Sequence, residues 1–270
     1  MEKKAKKVRI DQHILDINLV ETRERGKSEI LAGNVFVNDE RVDKPGTLIS
    51  VDSVVRIVGK VSPYVSRGGL KLEKALKYFG IDLTDTRAID IGASTGGFTD
   101  CMLQSGAASV CSVDVGYGQL AWKLRQDSRV CVMEKVNARN LKPDDFDHAF
   151  DFATIDVSFI SLDKILPPLY NLLENDASCI CLIKPQFEAG RDKVGKKGVV
   201  KSQDVQVDVI NRMVSMASNI GYVVLGLTYS PIRGPEGNIE FLMHLGMPKV
   251  GLEITLCNIE EMVQDAHSSI

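Results

Sequence analysis

Four charged residues each occupy a short motif of their own, and together they suit one reaction. Lys71 lies in Ser66-Arg67-Gly68-Gly69-Leu70-Lys71, and Asp156 closes the apolar run Phe152-Ala153-Thr154-Ile155-Asp156. Lys184 closes Cys179-Ile180-Cys181-Leu182-Ile183-Lys184, just before Pro185-Gln186-Phe187-Glu188, and Glu240 follows Gly234-Pro235-Glu236-Gly237-Asn238-Ile239. A lysine at the end of so apolar a run is costly to desolvate without carboxylates beside it, and Asp156 and Glu240 can offset that cost. Two ammonium groups and two carboxylates beside a nucleoside cofactor suit removal of a proton from a ribose hydroxyl. A buried ion-pair network that only ties strands together is the competing reading. For Lys71 alone the competing reading is a solvent-facing helical lysine.

The elements around these residues must bring them together. From residue 87 onward apolar runs alternate with helical stripes. Strands are predicted at 87–91, 109–114, 130–133, 151–156, 178–184, 222–228 and 239–245, with helices at 97–105, 117–126, 160–174 and 201–219. Such alternation gives a mostly parallel sheet with helices on both faces. The last two strands are joined by a connection too short for a right-handed parallel crossover, so the final pair is expected to be antiparallel. Seven strands with one reversal resemble the large class of nucleoside-dependent methyltransferases. Ligands of open α/β sheets bind beyond the carboxyl ends of the strands, where Asp156 and Lys184 fall.

A glycine-rich turn, Asp90-Ile91-Gly92-Ala93-Ser94-Thr95-Gly96-Gly97-Phe98, follows the first of these strands and opens a helix. Glycines there let backbone approach a ligand closely. A dinucleotide dehydrogenase is the alternative, but its fingerprint wants glycine where Ser94 stands. An acidic Asp90 before the turn suits a cationic or amine-bearing ligand better than a pyrophosphate. S-adenosylmethionine carries both an amino group and a sulfonium. Asp114 ends the second strand, where a carboxylate can accept bonds from ribose hydroxyls in either cofactor class. Asn137, after the third strand, is placed either to contact the adenine region or to cap a loop. The expected cofactor contacts are therefore Asp90, Gly92, Ser94, Gly96, Gly97, Phe98, Asp114, Asn137 and Asp156.

Residues 1–60 read as a separate small α+β module. Ile10, Ile14 and Ile17 follow helical spacing. Thr22 can cap a second helix that ends near Gly33, and short strands follow at Val35-Phe36-Val37 and Val54–Val58. Residues 1–62 hold 12 Lys+Arg against 10 Asp+Glu, whereas the chain as a whole has a net charge of -3. Arg23, Arg25 and Lys27 gather at the start of the second helix, with Arg9 before the first. Cations are unfavourable at a helix N-terminus, and a phosphate partner would remove that penalty. A solvated helix face is the alternative. Arg9-Ile10-Asp11-Gln12-His13, Thr22-Arg23-Glu24-Arg25-Gly26-Lys27, Gly33-Asn34-Val35-Phe36-Val37-Asn38 and Lys44-Pro45-Gly46 together resemble the RNA-binding module of small-subunit ribosomal protein four. That resemblance implies docking on structured RNA. Arg67 and Arg233 would be further RNA contacts in the larger part of the chain.

Residues 61–84 link the parts and supply a first helix, in which Leu70, Leu72, Ala75, Leu76 and Phe79 make an apolar stripe. The larger domain runs over 85–248, and 249–270 form a C-terminal tail. At 270 residues, with 44% hydrophobic and 26% charged content, the chain suits a globular protein with a sizeable core. Its six cysteines show no C-x-x-C spacing, which speaks against zinc or redox sites. They read as reduced core thiols of a cytoplasmic protein. No apolar stretch follows the charged N-terminus as a signal peptide requires, and no run is long enough to span a membrane.

A second resemblance covers residues 61–246. Tyr64–Lys71, Asp90–Asp100, Asp114-Val115-Gly116-Tyr117-Gly118-Gln119-Leu120, Asp156-Val157-Ser158-Phe159-Ile160-Ser161, Lys184–Glu188 and Gly234-Pro235-x-Gly237-Asn238-x-Glu240 resemble the haemolysin-A-type (TlyA-like) branch of the FtsJ-like ribose methyltransferases. The departures are Leu70 and Gly69, neither at a catalytic position. The resemblance implies 2'-O-methylation of ribose in ribosomal RNA, or in ribosomal subunits, with S-adenosylmethionine and without a metal. By matching position it makes Lys71, Asp156, Lys184 and Glu240 the catalytic set. Lys184 would accept or polarise the ribose proton, Asp156 would hold Lys184 and face the methyl donor, and Lys71 and Glu240 would orient the hydroxyl. The family name also raises a cytolytic protein, which the lack of a long cationic amphipathic helix disfavours. A non-catalytic RNA-binding protein would not need the four residues intact.

Overall fold

The computed structural model describes residues 6–20, 22–31, 33–58, 62–234, 236–248 and 258–270. The chain divides into two compact units, Met1–Arg67 and Gly68–Ile270.

The first unit runs β1 (Lys7–Arg9), α1 (Ile10–Asp16), α2 (Arg23–Leu31), β2 (Val35–Val37), β3 (Glu40–Val42), β4 (Leu48–Ser50) and β5 (Val55–Ile57). Thr22 Oγ1 accepts a bond from the Arg25 amide at 3.1 Å and so starts α2. Asn38 and Asp39 both adopt positive φ, 48° and 69°, which is the turn that a two-residue hairpin between β2 and β3 demands. The sheet order is β3-β2-β5, and β1 pairs separately with β4. Ile10, Ile14, Ile30, Val35, Val37 and Ile49 form the core. Gly26 lets the two helices close: a Cβ there would stand 2.8 Å from Ile14 Cδ1. Ile17 falls beyond α1 and is exposed.

The second unit opens with α3 (Gly68–Phe79). It continues with β6 (Arg87–Ile91), α4 (Gly97–Gln104), β7 (Ser109–Asp114), α5 (Trp122–Arg125), β8 (Val130–Glu134), β9 (Phe150–Ile155) and α6 (Leu166–Tyr170). The remainder is β10 (Leu173–Ile183), α7 (Pro185–Glu188), α8 (Gln203–Ile220), β11 (Val223–Tyr229), β12 (Phe241–Gly246) and α9 (Ile259–Ser269). One seven-stranded sheet has the order β11-β12-β10-β9-β6-β7-β8. Six strands run one way, and β12 lies antiparallel to its neighbours β10 and β11, as the short last connection predicts. Central strands such as Ile89–Ile91, Ala153–Ile155 and Cys179–Ile183 are buried on both faces, which explains why they are apolar but for Asp90 and Thr154, which bond to each other.

Two expected helices are shorter than their apolar pattern suggested. The 117–126 helix shrinks to α5, because Gly116 and Gly118 sit in a loop, the latter at φ 70°. The 160–174 helix reduces to a 3-10 turn at Leu162–Lys164 and to α6, Leu166–Tyr170, whose first turn holds Pro167 and Pro168, and β10 already begins at Leu173. In the C-terminal tail, α9 buries Met262, Val263 and Ala266 against the main core. Among the described residues no helix is long and apolar enough to cross a membrane, and no group of three His, Cys, Asp or Glu could hold a metal ion.

Candidate active site

The topology gathers the four charged residues at one edge of the sheet. Residues Ile91, Ile155 and Ile183 end the neighbouring strands β6, β9 and β10. Because β12 runs the other way, its first residue pairs with the last of β10, Phe241 with Ile183. Glu240 therefore arrives beside Lys184, although they are far apart in sequence. The Ser230 amide donates to the Glu240 carbonyl at 2.8 Å and fixes that entry. Lys71 comes from the first turn of α3.

A continuous chain of charge results. Lys71 Nζ donates to Glu240 Oε2 at 2.6 Å and stands 4.0 Å from Asp156 Oδ2. Lys184 Nζ lies 2.6 Å from Asp156 Oδ1 and donates to Ser158 Oγ at 3.0 Å. Lys71, Lys184 and Glu240 are buried, whereas the Asp156 side chain keeps 21% of its surface accessible. Burial pushes the Asp156 carboxyl up, but Lys71 and Lys184 outweigh it and hold the group below the usual carboxylate range. Two glycines make room for this cluster. A Cβ on Gly92 would fall 2.5 Å from the Asp156 carbonyl, and one on Gly234 would fall 2.6 Å from Glu240 Oε1.

The glycine turn lies beside the cluster, between β6 and α4. Asp90 does not face outward as its place in the motif suggested. It is fully buried, and its carboxylate accepts bonds from the Thr99 amide at 2.9 Å, Thr99 Oγ1 at 2.7 Å and Thr154 Oγ1 at 2.9 Å. Burial pushes this carboxyl up to about 6, the threonine bonds oppose it, and the charge of Asp156 adds to it. Asp90 thus holds the turn to α4 and β9 instead of reaching a ligand. Phe98 and Gly97 are likewise buried in α4. Gly96 adopts φ 95° and packs where a Cβ would collide with Leu124. Ser94 is exposed at φ 49°, and its amide donates to Asp114 Oδ2 at 2.8 Å.

Asp114, half-buried at the end of β7, also accepts from the Gly116 amide through Oδ1 at 2.7 Å. Each oxygen keeps a further lone pair. Next to it on β8, Glu134 accepts from the amides of Gly118 and Gln119 and pairs with Arg125. These bonds, that of Gly118 foremost, hold its carboxyl below the usual range. Glu134 fixes the loop over residues 116–120, a role no motif announced. Asn137 caps the turn Ala138–Asn140, accepting from the Arg139 amide at 3.2 Å.

Two further residues at the cluster emerge only in the fold. Ser158 is the second partner of Lys184. Phe159 is 91% exposed, adopts φ 64°, and sets its ring 5.0 Å from that of Phe187. A bulky residue in the left-handed region is an outlier that surrounding structure must impose.

The cations expected to meet RNA are mostly engaged within the protein. Arg9 donates through Nε and Nη2 to the two oxygens of buried Asp11, both at 3.0 Å, and Arg23 adds bonds to Asp11 Oδ2 at 3.2 and 2.9 Å. The Arg9 bonds hold the Asp11 carboxyl below its usual range against burial, and Arg23 helps. Arg25 donates to the carbonyls of Ser62 and Tyr64 and pairs with Glu29 at 3.0 Å. Arg233 donates to the Gly237 carbonyl and to the carbonyl oxygen of Ile270. Lys27 is half-buried on α2. Arg67 is half-buried, and burial, followed by the charge of Arg41, lowers its pKa.

Residues 64–247 match the FtsJ-like methyltransferase family. The chain is 52% identical to YqxC of Bacillus subtilis, named as a candidate rRNA methyltransferase, over 98% of this chain and 96% of that one. It is 39% identical to TlyA of Mycobacterium tuberculosis, named as a 16S/23S rRNA (cytidine-2'-O)-methyltransferase, over 89% and 90%. The solved structure of a candidate hemolysin from Streptococcus thermophilus superposes with a TM-score of 0.77 at 46% identity, covering 97% of this chain and 96% of that one.

Proposed function

This chain belongs to the FtsJ-like methyltransferase family, and from that premise we propose that it methylates the ribose 2'-hydroxyl of ribosomal RNA with S-adenosylmethionine. The observation that carries this reading is the Lys71, Asp156, Lys184 and Glu240 cluster at the sheet edge beside the glycine turn. The relatives named as rRNA methyltransferases support the same substrate class.

The residues present fit the cofactor. Asp114 holds two loops while keeping acceptor lone pairs for ribose hydroxyls. Asp156 presents its accessible carboxylate at the same strand ends. When bound, S-adenosylmethionine supplies an electrophilic methyl group. The protein's part is to bind the ribose hydroxyl, orient it and manage its proton. Lys184 Nζ, held by Asp156 and Ser158, donates to the 2'-oxygen or, once neutral, takes its proton. Asp156 stands between the two ammonium groups and fixes both. Glu240, buried against Lys71, keeps that ammonium in place and balances the charge of the cluster. Phe159 offers an exposed ring three residues beyond Asp156, where a displaced base could stack. Most of the rate gain comes from holding the hydroxyl in line, since a positioned reactant replaces a bimolecular encounter.

The test is transfer of labelled methyl from S-adenosylmethionine to ribosomal RNA, followed by alkaline hydrolysis. Ribose methylation leaves the label in alkali-resistant dinucleotides. Label found only in mononucleotides, where base methylation would leave it, or no transfer to rRNA or to ribosomal subunits, would overturn the proposal.

A further inference from the structure

The N-terminal unit carries a row of three side chains that the reading of its helices did not use. Phe36 on β2 is the register partner of Arg41 on β3 and of Arg56 on β5. Side chains alternate across a sheet, and Val35 and Val37 point into the core, so Phe36 and both partners share the opposite face. Both arginines are exposed and Phe36 is half-buried. The Arg56 guanidinium carbon lies 5.3 Å from the Phe36 ring centroid. On the other side the Arg41 guanidinium lies over Gly33, where a Cβ would strike it. Arg67, in the same unit, adds a third guanidinium close enough to Arg41 for the two charges to repel. Among the described residues the acid paired with them is Asp39, an exposed turn residue 2.7 Å from Arg56. An exposed pair of this kind contributes little and exchanges readily for a phosphate. Glu40, one residue before Arg41, alternates to the other face.

We propose that this face binds unpaired RNA, with a base stacked on Phe36 and the flanking phosphates on Arg41 and Arg56. An aromatic ring with one guanidinium over it and a second residue of the same charge on the neighbouring strand matches the repeat of a single strand, in which a π-face alternates with anionic charge. Like charges held together without a dedicated carboxylate for each favour a polyanion. The inference rests on the rRNA reading above and adds a contact on the sheet to the cations of the α2 end, where Arg9, Arg23 and Arg25 also serve protein acceptors.

The experiment measures binding of the full chain to a labelled oligocytidine across a salt series, with oligoglutamate as competitor. Arg41→Gln with Arg56→Gln should lower the salt slope by about 1.4, two single-strand phosphate contacts. Phe36→Leu should weaken binding roughly tenfold, within the range of one lost stack, and Phe36→Trp should restore it. Thermal melts establish folding. If Phe36→Leu fails to fold, the arginine pair, exposed in the native state, still decides. Unchanged affinity and slope in the arginine variant overturn the inference. So does displacement by oligoglutamate as effective as by unlabelled oligocytidine, which marks an acidic protein partner. If wild type methylates rRNA while these variants bind as it does, only the sheet-face inference falls. A wild type that neither methylates rRNA nor binds the oligonucleotide removes both readings.

Discussion

The edge of the large sheet and the helical end of the small unit both carry motif-borne charges, yet they handle them in opposite ways. At the sheet edge, two lysines and two carboxylates come from four distant elements and alternate, Glu240 to Lys71 to Asp156 to Lys184. Asp156, in the middle, stays partly open. At the helical end, Arg9 from two residues before and Arg23 from twelve residues after converge on one wholly buried Asp11, and Arg25 reaches the carbonyls of Ser62 and Tyr64. Charges brought together by topology form a mostly buried chain of alternating sign, whereas at the helical end two part-exposed guanidiniums share a single buried acid and keep further N–H donors. A cluster of cations in a sequence is therefore weak testimony for a ligand until its acids have been located.

The sharpest way to break this contrast is to remove one charge from each place. Lys184→Ala should lower methyl transfer by about 10²–10⁴, the usual range for a general acid–base group. Cofactor affinity should stay within about twofold by calorimetry, since the glycine turn and Asp114 are untouched. Arg9→Ala with Arg23→Ala should instead leave transfer chemistry intact and unfold the small unit more easily. It strands a buried carboxylate, at a cost of about 3 kcal/mol, the low end for a broken buried pair because both guanidiniums are part-exposed. A urea melt reads this. Asp11 is held below its usual value, so the stabilisation is complete above the ordinary carboxylate range and is lost as pH falls through the lowered folded value.

The turn itself separates support from chemistry. Asp90 is raised to about 6 from 3.8, so the folded state holds a proton that the unfolded chain has released between those values. Stability contributed by this group is therefore complete below about 3.8 and is lost as pH rises to about 6. Relative to wild type, Asp90→Asn should gain up to about 3 kcal/mol across that window. A pH-independent difference in melting would contradict the buried, threonine-bound carboxyl. His244, buried on β12 and lowered to about 4, acts in the opposite direction, losing stability as pH falls from 6.5. Wild type should show a shallow profile over the shared window, and His244→Phe should reveal the Asp90 slope.

The smallest expected effect is at Ser158. Ser158→Ala removes one bond to the Lys184 ammonium and should lower turnover about tenfold, with little change in KM. Ser158→Thr should recover most of it. An equal loss in the threonine variant would make Ser158 a packing residue.

Much of the fold is legible in the sequence because central strands buried on both faces are written as apolar runs. The short link from Tyr229 to Asn238 also forces the last reversal. The helices expected over 117–126 and 160–174 mislead because apolar spacing says nothing of glycine loops or of Pro167 and Pro168. At the candidate site, the motifs name which side chains matter but not which way they turn. Asp90 occupies the motif position of a ligand-facing acid and points inward, because Thr99 and Thr154 offer it bonds that only the folded sheet brings near. Ser158 stands in a motif and Glu134 in none, but neither role is legible, since their partners come from other elements.

The central claim is that the four-residue cluster methylates ribose in ribosomal RNA. Its most direct test is a map of 2'-O-methyl positions on rRNA from cells carrying the wild-type chain, the Lys184→Ala chain or neither. The account predicts at least one ribose position that is methylated with wild type and unmodified in the other two. Identical maps in all three, or a position that Lys184→Ala still methylates fully, would contradict it.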